Sequence, residues 1–469
     1  MLHSPTDTIC AISTPPGRGG IAVIRISGGN AFSVCRKIFK SATSSPFAKQ
    51  KGRTGVTVNY GHILRGDEIL DEVLVSVFRA PHSYTGEDVI EISCHGSLYI
   101  QQEILKLLLS AGCRLAAAGE FTQRAFLSGK LDLSQAEAVG DLIASSSAAA
   151  HRIAMQQMRG GISGELADLH DRLLHFTSLV ELELDFAEED VEFADRKQLN
   201  DLALHIEAVI CRLAGSFAAG NAIRNGIPVA IAGQTNAGKS TLLNRLLRDD
   251  KAIVSDIHGT TRDAIEDTAV ISGLMFRFID TAGIRETQDA IEQLGIERTF
   301  KKIEQASIVL WLIDLSGDIR DIEPPAPQII HHNTERKLIL LLNKCDLLHE
   351  DECEQKATYF KRFNEDVMVF SAKSDRDIAR LERKLTEVAN IPQIGDNDVI
   401  IANARHYEAL THALSAIRQV IAGVGSGISG ELLSQDIRDC LYHLGEITGQ
   451  RIGAEDVLEN IFSKFCIGK

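Results

Sequence analysis

The sequence predicts a multidomain protein: an α+β N-terminal domain, then a helical domain into which an α/β domain is inserted. Three observations predict this. Strand patterns separated by turns fill the first 125 residues, helical periodicity fills about 129–220 and returns after 398, and strands alternate with helices between 227 and 390. Such alternation is typical of a parallel α/β sheet. We expect boundaries at 1–125, 126–222, 223–390 and 391–469.

Composition narrows the class of protein. A chain of 469 residues suggests about three domains at roughly 100–200 residues each. The net charge of −15 argues against a protein that holds nucleic acid mainly by neutralising phosphates. Nine scattered cysteines without a C-x-x-C pair favour reduced thiols in the cytoplasm over disulfides or zinc. We recognise neither a signal peptide nor an apolar run near ~18 residues, so we expect no membrane span.

The N-terminal domain reads as strand, turn, strand over "DTICAISTPPGRGGIAVIRISG". Further strands are predicted at "NYGHIL", "EVLVSVFRA" and "DVIEISCHG". The following "SLYIQQEILKLLLSAGC" has helical periodicity, and Gly112 near its end is a plausible C-cap.

The next hundred residues carry three long helical patterns, and the acidic run "ELELDFAEEDVEF" within them indicates a solvated helix face and a loop. In the inserted domain six segments predict strands: "IPVAIAG", "DTAVIS", "MFRFIDTAG", "SIVLWLIDLS", "KLILLLNKCD" and "DVMVFSAKS".

A phosphate-binding loop follows the first of these strands, in "GQTNAGKST". Gly233 and Gly238 bracket four residues before Lys239 and Ser240, and a helical pattern begins there, which is the context that supports this motif. Backbone N–H groups at a helix N-terminus attract phosphate oxygens. Lys239 is expected to neutralise the β- and γ-phosphates, and the Ser240 hydroxyl to bind Mg²⁺.

Three more motifs follow in order, each at the end of an apolar strand. In "DTAG", Asp280 is expected in the Mg²⁺ shell and the Gly283 N–H at the γ-phosphate. In "NKCD", the Asp346 carboxylate suits the N1–H and N2–H₂ donors of guanine. The backbone of "SAK" (371–373) suits guanine O6. Four such motifs predict a Ras-like α/β P-loop GTPase domain that binds GTP.

The hydrolytic machinery is less clear from the residues. Thr261 in "HGTTRD" is the natural switch-I ligand of Mg²⁺. The position where many small GTPases have a water-orienting Gln is Ile284. Asn236 either binds a K⁺ that replaces an arginine finger or only hydrogen-bonds switch I, and the residues do not decide between these. The candidate carboxylates that could orient water are Glu286, Asp289, Glu292 and Glu297.

Taken together, the motifs resemble one family over essentially the whole chain: the bacterial and organellar tRNA modification GTPases called MnmE or TrmE. The motifs that carry the resemblance are "PPGRGGIAVIRISG", "YTGEDVIEISCHG", "GEFTQRAFLSGKLDLSQAEAV", "GQTNAGKSTLLN", "HGTTRD", "DTAGIRE" and the terminal "FCIGK". The resemblance implies a K⁺-activated GTPase in which K⁺ and GTP draw two G domains together across a homodimer.

The resemblance also assigns residues. Glu292 would be the catalytic residue that positions water. K⁺ would be bound by Asn236, Ser255, Ile257 and Thr260, and Mg²⁺ by Ser240 and Thr261. The nucleotide-contacting set is Asn236, Ala237, Gly238, Lys239, Ser240, Thr241, Ser255, Asp256, Ile257, His258, Gly259, Thr260, Thr261, Asp280, Thr281, Ala282, Gly283, Asn343, Lys344, Asp346, Ser371, Ala372 and Lys373.

By the same resemblance, the N-terminal domain binds a tetrahydrofolate derivative (the 5,10-methylene or 5-formyl form) and dimerises. Arg25, Glu87, Lys130 and Lys469 match the folate-contacting positions. An arginine within "IAVIRIS" is costly to bury without an anion, which a folate glutamate tail would supply. A salt bridge at a sheet edge is the alternative.

The implied partner is the flavoprotein MnmG, which carries FAD and uses NADH. Together the two would install a carboxymethylaminomethyl or aminomethyl group on C5 of the wobble uridine (position 34) of certain tRNAs. Two other classes remain: a GTP-switched ribosome-assembly factor, which usually has a basic RNA-binding domain, and a folate-binding scaffold whose G domain is only regulatory.

Overall fold

The computed structural model describes most of the chain. The described ranges are 7–42, 56–185, 195–233, 236–247, 267–279, 305–317, 337–392, 398–426 and 428–449, with 395, 461–462, 465 and 468. The chain forms two compact units. Unit 1 contains 1–144, 154–211 and 408–469, and unit 2 contains 145–153 and 212–407.

Seven strands in the described part of unit 1 form a mixed sheet in the order β3-β4-β5-β6-β2-β1-β7. Neighbours run antiparallel except β1 and β7, which are parallel. The strands are β1 (Ile9–Ile12), β2 (Ile21–Ser27), β3 (Phe39–Ser41), β4 (Thr57–Arg65), β5 (Glu68–Phe78), β6 (Val89–His95) and β7 (Arg114–Leu115).

Two helices, α1 (Ala31–Ile38) and α2 (Leu98–Ala111), cover one face of this sheet. Side chains alternate across a strand, so Ile24 and Ile26 of β2 point into the core, where they join a buried cluster with Ile104 and Leu108 of α2. Gly112 ends α2 with a φ of 112°, in the left-handed region, so its predicted role as C-cap is confirmed.

The predicted helical region forms as helices. They are α3 (Glu120–Leu127), α4 (Leu133–Ala144), α5 (Ala148–Met158), α6 (Gly161–Asp185), α7 (Arg196–Gly215) and α8 (Phe217–Asn225). Buried apolar residues in α7 recur every three or four positions, as for a helix packed along one stripe. They are Leu199, Leu202, Ala203, Ile206, Ile210 and Leu213.

All six strands predicted for the inserted domain are present, in the order β13-β12-β11-β8-β10-β9. Their bounds are β8 (Ile227–Gly233), β9 (Asp267–Ile271), β10 (Leu274–Phe278), β11 (Ile308–Asp314), β12 (Lys337–Asn343) and β13 (Val367–Val369). The sheet is parallel except at β9, which pairs antiparallel with β10. Ser272 and Gly273 link these two strands, and a link this short can only join antiparallel strands.

Helices lie on both faces of this sheet. On one face α9 (Lys239–Leu246) and α11 (Asp375–Ala389) pack on the strands, and on the other α10 (Glu350–Phe360) does so. Successive residues of β11 serve the two faces in turn: Leu310 is buried with the first group of helices and Val309 with the second. This is the layered α/β architecture that the alternating pattern predicts.

The final helices are α12 (Ala404–Ser426) and α13 (Gly430–Thr448). In unit 1, α13 packs along α6, and Arg438 of α13 forms a salt bridge with Glu181 of α6 at 2.5 Å. The helical segment is therefore completed by residues that lie more than 240 positions later in the chain.

One segment, Arg196–Asn225, is long and apolar enough by length and composition to cross a membrane. The expectation of no such segment considered only uninterrupted apolar runs, and this one passes on its average composition although arginines interrupt it. Of its apolar window 28% is buried, and the buried residues of α7 follow one helical stripe.

Two glycines of unit 2 allow a matched test of packing. A Cβ on Gly220 of α8 would lie 2.2 Å from the Ile401 carbonyl oxygen, whereas a Cβ on Gly215 at the end of α7 would meet nothing within 4 Å. We expect Gly220→Ala to lower the free energy of unfolding by about 1–3 kcal/mol. Gly215→Ala should raise it by ~0.5–1 kcal/mol, because alanine favours the helix.

The single tryptophan, Trp311 of β11, makes its fluorescence a reporter of unit 2 in denaturant titrations. Equal effects of the two substitutions would contradict the close contact at Gly220.

Candidate functional site

The phosphate-binding loop joins the end of β8 to the start of α9, and two glycines permit its shape. Gly233 and Gly238 have φ values of 138° and 100°, which L side chains rarely adopt. A Cβ on Gly233 would lie 2.2 Å from the Leu312 carbonyl oxygen, and one on Gly238 2.3 Å from Nδ2 of Asn343. The loop can therefore pack against β11 and β12 only with glycine at both positions.

The side chains of the loop are arranged for an anionic ligand. Lys239 begins α9, and its Nζ donates to the Gly233 carbonyl oxygen at 2.7 Å, so the ammonium group lies back over the loop. Ser240 and Thr241 in the first turn are exposed. Asn236 is exposed as well, with a left-handed φ of 62°. Backbone N–H groups, an ammonium and a hydroxyl together form a donor set suited to phosphate and Mg²⁺.

The buried amide of Asn343 connects three motifs. Its Nδ2 donates to the Ala237 carbonyl oxygen at 2.7 Å, and its Oδ1 accepts from the Ala372 N–H at 2.9 Å. Asn343 is 3% exposed, so both bonds are shielded from water. The phosphate loop, "NKCD" and "SAK" therefore meet at one point, as the sequence predicts for a guanine nucleotide site.

Asp346 is held by the neighbouring loop. One of its carboxylate oxygens, Oδ1, accepts from the Ser371 hydroxyl at 2.7 Å. Ser371 is positioned in turn by its backbone N–H, which donates to Asp377 Oδ2 at 3.1 Å, and Lys373 N–H donates to the Ser371 hydroxyl at 3.4 Å. The Asp346 side chain is exposed and fixed in orientation, as a carboxylate that recognises a base must be.

Lys344 has an unusual backbone and an acidic partner. Its φ is 66°, and its Nζ donates to Asp314 Oδ2. Partial burial raises the pKa of Asp314, but hydrogen bonds from Lys344 and Ser316 outweigh it and hold the pKa below its ordinary value. Neither Asp314 nor Asp377 is among the predicted residues. Asp314 had a signal, since it ends an apolar strand at the same sheet edge as Asn343.

The remaining nucleotide residues lie outside the described part of the chain. They are Ser255, Asp256, Ile257, His258, Gly259, Thr260, Thr261, Asp280, Thr281, Ala282, Gly283 and the catalytic candidate Glu292. Their assignments stay predictions.

In the N-terminal unit, Arg25 lies in β2, between β6 and β1, in the interior of the sheet. Its Nε and Nη2 donate to Glu91 Oε1 at 2.9 and 2.8 Å, and its guanidinium lies over the rings of Tyr84 (5.3 Å) and Phe121 (5.5 Å). The argument that burial of Arg25 demands an outside anion is therefore wrong, because Glu91 on the adjacent strand supplies one. The alternative was a salt bridge at a sheet edge. The salt bridge is present, but β2 is an interior strand and not an edge.

Glu87 belongs to a polar network. Its Oε2 accepts from the Ser27 hydroxyl at 2.6 Å, and Nη1 of Arg124 donates to both carboxylate oxygens at 3.1 and 3.2 Å. Lys130 is exposed and lies near the same turn, with its Cγ 3.6 Å from where a Cβ on Gly86 would be. The turn at 83–87 thus lies beside three of the predicted folate residues: Tyr84 contacts Arg25, Glu87 belongs to the turn, and Lys130 lies near Gly86. Lys469 lies outside the described residues.

Behind Glu87 lies a carboxylate that the sequence did not single out. Glu120 accepts from Arg114 at 2.7 and 3.0 Å and from Arg124 at 3.0 Å. Burial raises the pKa of Glu120, but these arginines and the Ala117 N–H hold it below its ordinary value, so this carboxylate is charged at neutral pH. Glu120 and Arg124 both lie within the motif that begins "GEFTQRAF", and their place in that motif was the sequence signal for them.

The chain end contributes to the same unit. The Ser13 hydroxyl donates to the Gly468 carbonyl oxygen at 3.1 Å. Gly468 has a φ of 99°, and a Cβ there would lie 2.4 Å from the Ile12 carbonyl oxygen. Gly468 of the "FCIGK" motif therefore lies beside the end of β1.

Comparison with known families decides where this chain belongs. A model described as the MnmE helical domain matches residues 133–466, and one described as the N-terminus of the GTP-binding protein TrmE matches residues 8–130. The chain belongs to the MnmE family.

Curated relatives agree over nearly the full length. The tRNA modification GTPase MnmE of Parabacteroides distasonis is 57% identical, with 98% of this chain and 100% of the relative covered. That of Bacteroides thetaiotaomicron is 56% identical, with 99% of both chains covered. Like its relatives, this MnmE-family chain is a GTP hydrolase acting in tRNA modification.

Solved structures were also compared. An Era variant from Aquifex aeolicus is 25% identical, with 40% of this chain and 66% of that chain covered at a TM-score of 0.26. The FeoB G-domain from Methanococcus jannaschii is 20% identical, with 35% and 97% covered at a TM-score of 0.25. The two family models and the six-stranded sheet with helices on both faces confirm the predicted multidomain fold: a TrmE-type N-terminal domain, a helical domain and an inserted Ras-like α/β domain.

The bridging role of Asn343 has a matched control in the same MnmE G domain. Asn364 also donates to a backbone carbonyl (Leu338, 3.3 Å) and accepts from a backbone N–H (Asp366, 2.6 Å), but it lies near the opposite end of β12. We expect Asn343→Ala to weaken GTP binding at least ~10-fold, because a buried polar group left unpaired costs about 1–3 kcal/mol. Asn364→Ala should leave the Kd for GTP within about twofold, a change worth under ~0.5 kcal/mol.

Isothermal titration calorimetry with GTP measures both constants. An equal loss in the two variants would mean that Asn343 acts only through general stability of the sheet.

Proposed function

We propose that this chain is a potassium-activated GTPase that works with the flavoprotein MnmG to modify tRNA. The pair would add a carboxymethylaminomethyl or aminomethyl group to C5 of the wobble uridine from a tetrahydrofolate one-carbon unit. The observation that carries the proposal is the junction at Asn343, where three guanine-nucleotide motifs meet in a chain of the MnmE family. The predicted domain boundaries form part of this proposal.

Guanine recognition is assigned to Asp346. Its carboxylate is exposed, and Oδ1 accepts one hydrogen bond from Ser371 while keeping a second lone pair. Both oxygens are therefore available, one for the N1–H and one for the N2–H₂ of guanine. Adenine does not present those two donors together, and this difference would select GTP over ATP. The Ala372 N–H is already used by Asn343, which fixes the "SAK" backbone beside the base.

The phosphates and Mg²⁺ are assigned to the loop and the start of α9. GTPases use Mg²⁺ with their nucleotide, and the exposed Ser240 hydroxyl in the first turn of α9 suits it. Lys239 would exchange its bond to a neutral carbonyl for a charged phosphate oxygen, and charge-assisted bonds are roughly twice as strong as neutral ones. Thr261 would be the second Mg²⁺ ligand.

For hydrolysis we propose K⁺ at Asn236, with Ser255, Ile257 and Thr260 as its other ligands. The exposed position of Asn236 in the loop and its left-handed backbone support this choice. When bound, K⁺ would supply the positive charge that other GTPases obtain from an arginine finger. Glu292 would orient the attacking water, since Ile284 has no group to do so.

The N-terminal unit is proposed to bind the tetrahydrofolate derivative through Arg25, Glu87, Lys130 and Lys469. The Glu87 carboxylate is three-quarters buried yet retains an exposed face, and it can accept from the N–H donors of a pterin ring as Asp346 does from guanine. Because Arg25 is paired with Glu91, it would contact the ligand with its remaining N–H groups and does not require the ligand's charge.

A homodimer through this unit has support in its exposed surface. Tyr60 and Leu74 are direct cross-strand partners, 49% and 47% exposed, and Val58 and Ile21 are 60% and 70% exposed. Exposed apolar residues on a sheet commonly mark an interface between proteins. A second copy of the chain is the occupant we propose.

The proposals for the partner and for the cellular compartment rest on the net charge and on the free cysteines. A chain with net charge −15 would leave much of the tRNA contact to its partner, MnmG, which would also carry the FAD. The eight cysteines in the described residues are all free thiols, as expected in the reducing cytoplasm.

The ribosome-assembly alternative has less support, because the chain combines an acidic balance with a TrmE-type N-terminal domain. The folate-scaffold alternative differs in one respect, since it does not need hydrolysis. Loss of hydrolysis without loss of modification would distinguish the scaffold from the leading proposal.

We expect Glu292→Ala to lower kcat for GTP by about 10²- to 10⁴-fold, the usual contribution of a positioned general base. In cells that lack the wild-type protein, this variant should fail to restore C5-aminomethyl-type wobble uridines. Mass spectrometry of tRNA nucleosides measures them. Glu297→Ala, in the same segment, is the control and should restore them. Restoration by a hydrolysis-dead Glu292 variant would favour the scaffold, and unchanged uridines in the deletion strain would remove the tRNA assignment.

We expect the hydrolysis rate of the wild-type chain to be much higher in KCl than in NaCl at equal ionic strength. In Asn236→Ala this ratio should fall to about one, because the side-chain ligand of the cation is lost. Asn244→Ala, an exposed asparagine on α9, should keep the ratio. A wild-type rate that does not depend on the cation would leave Asn236 as a residue that only hydrogen-bonds switch I.

A further inference from the structure

We propose that Arg124 is a positioning residue of the N-terminal site. It holds the Glu87 carboxylate in the orientation that accepts hydrogen bonds from the folate ligand. This inference rests on the proposed folate function and adds a residue to it.

The geometry of Arg124 is that of a buried clamp. The residue is 7% exposed and lies in α3. Its Nη1 donates to both oxygens of Glu87 and, at 2.7 Å, to the Asp7 carbonyl oxygen. Its Nη2 donates to Glu120 Oε1 at 3.0 Å. A planar guanidinium that donates to acceptors on three residues at once has little freedom to rotate.

A second residue, Ser27 of β2, also holds the Glu87 carboxylate. The Ser27 hydroxyl, at the end of β2, donates to Glu87 Oε2 at 2.6 Å, and Ser27 also lies 2.8 Å from the Thr85 hydroxyl. The Ser83 hydroxyl donates to the Glu87 carbonyl oxygen at 2.6 Å and so fixes the backbone. Glu87 is therefore held through both its main chain and its carboxylate, while a quarter of its side chain stays exposed.

Arg124 is itself held from behind by Glu120, which Arg114 also binds through two nitrogens. Arg114 donates to Asp7, to the Leu115 carbonyl oxygen and to Glu120, whereas the Glu87 carboxylate accepts from Arg124. The two arginines thus share the same buried carboxylate, but only Arg124 contacts Glu87. This difference provides a control within the network.

Helix α3 also sets the distance between two proposed folate residues. Phe121, one turn before Arg124, lies beneath the Arg25 guanidinium, and Arg25 is two residues before Ser27 on β2, on the same face of the strand. One helix face therefore supports Arg25 through Phe121 and Glu87 through Arg124. A rigid support of this kind keeps the geometry of a binding site within the narrow range that affinity requires.

The test compares Arg124→Lys with Arg114→Lys. Lysine keeps the charge but cannot serve three acceptors in one plane. We expect Arg124→Lys to raise the Kd of the full-length chain for 5-formyltetrahydrofolate by about 10- to 100-fold. Arg114→Lys should change it by less than about threefold. Calorimetric titration measures the Kd, and circular dichroism melting checks that both variants are folded. Equal Kd values for Arg124→Lys and wild type would overturn the inference.

A double-mutant cycle separates positioning from general damage. If Arg124 acts through Glu87, Arg124→Lys should cost almost nothing further in a Glu87→Gln background. The same fold loss in both backgrounds would overturn the inference, because it would show a merely structural role. Ser27→Ala removes the other bond to the carboxylate and should weaken binding about tenfold. No effect of this change would also count against it.

Failure of the folate function itself gives a different result. In that case the wild-type chain does not bind 5-formyltetrahydrofolate, which overturns the folate assignment and the role of Arg124 together. Wild-type binding with an unaffected Arg124→Lys variant overturns only the latter.

Discussion

The nucleotide site depends on one buried amide. Asn343 ends the interior strand β12, and its side chain bonds to the backbone of the phosphate loop on one side and of the "SAK" loop on the other. Parallel strands bring their carboxyl ends to the same edge, but loops at such an edge have no ladder to fix their relative height. A donor and an acceptor on one short side chain supply that fixed spacing, so the groups for phosphate and for base are held at a constant separation.

The N-terminal unit solves a different problem, that of placing several charges inside a folded domain. Removing charges from water is costly unless each is paired. Arg25 of β2 pairs with Glu91 of β6. Arg114 of β7 and Arg124 of α3 pair with Glu120 of α3, and Arg124 also pairs with Glu87 in the turn before β6. Such networks are weak sources of net stability, but they define positions well. Their value to a binding site is that the ligand meets charges that are already oriented.

The sequence predicted five of the seven strands in the N-terminal sheet, all six in the other, the phosphate loop and the cap at Gly112, because these follow from local patterns of apolar residues, glycines and strand ends. It did not predict β3 and β7, which have only three and two residues and so carry no alternating pattern. It did not predict the partner of Arg25, since the register that places Glu91 opposite Arg25 depends on long-range pairing. Asp314 and Glu120 were missed for a different reason: an acidic residue in a sequence looks like a surface charge until the fold shows its arginine or lysine. Glu292 and the switch residues lie outside the described residues, so their assignments rest on the sequence motifs and on the resemblance.

The packing of α6 against α13 bears on the synthesis of the chain. Translation proceeds at ~5–20 residues per second, so roughly ten to fifty seconds separate the emergence of these two helices. In that interval the whole of 212–407 leaves the ribosome as one continuous stretch and can fold. The salt bridge between Arg438 and Glu181 forms only after it. The face of α6 that packs on α13 therefore stays uncovered during synthesis until the last part of the chain arrives, and transiently exposed apolar surface is prone to aggregate.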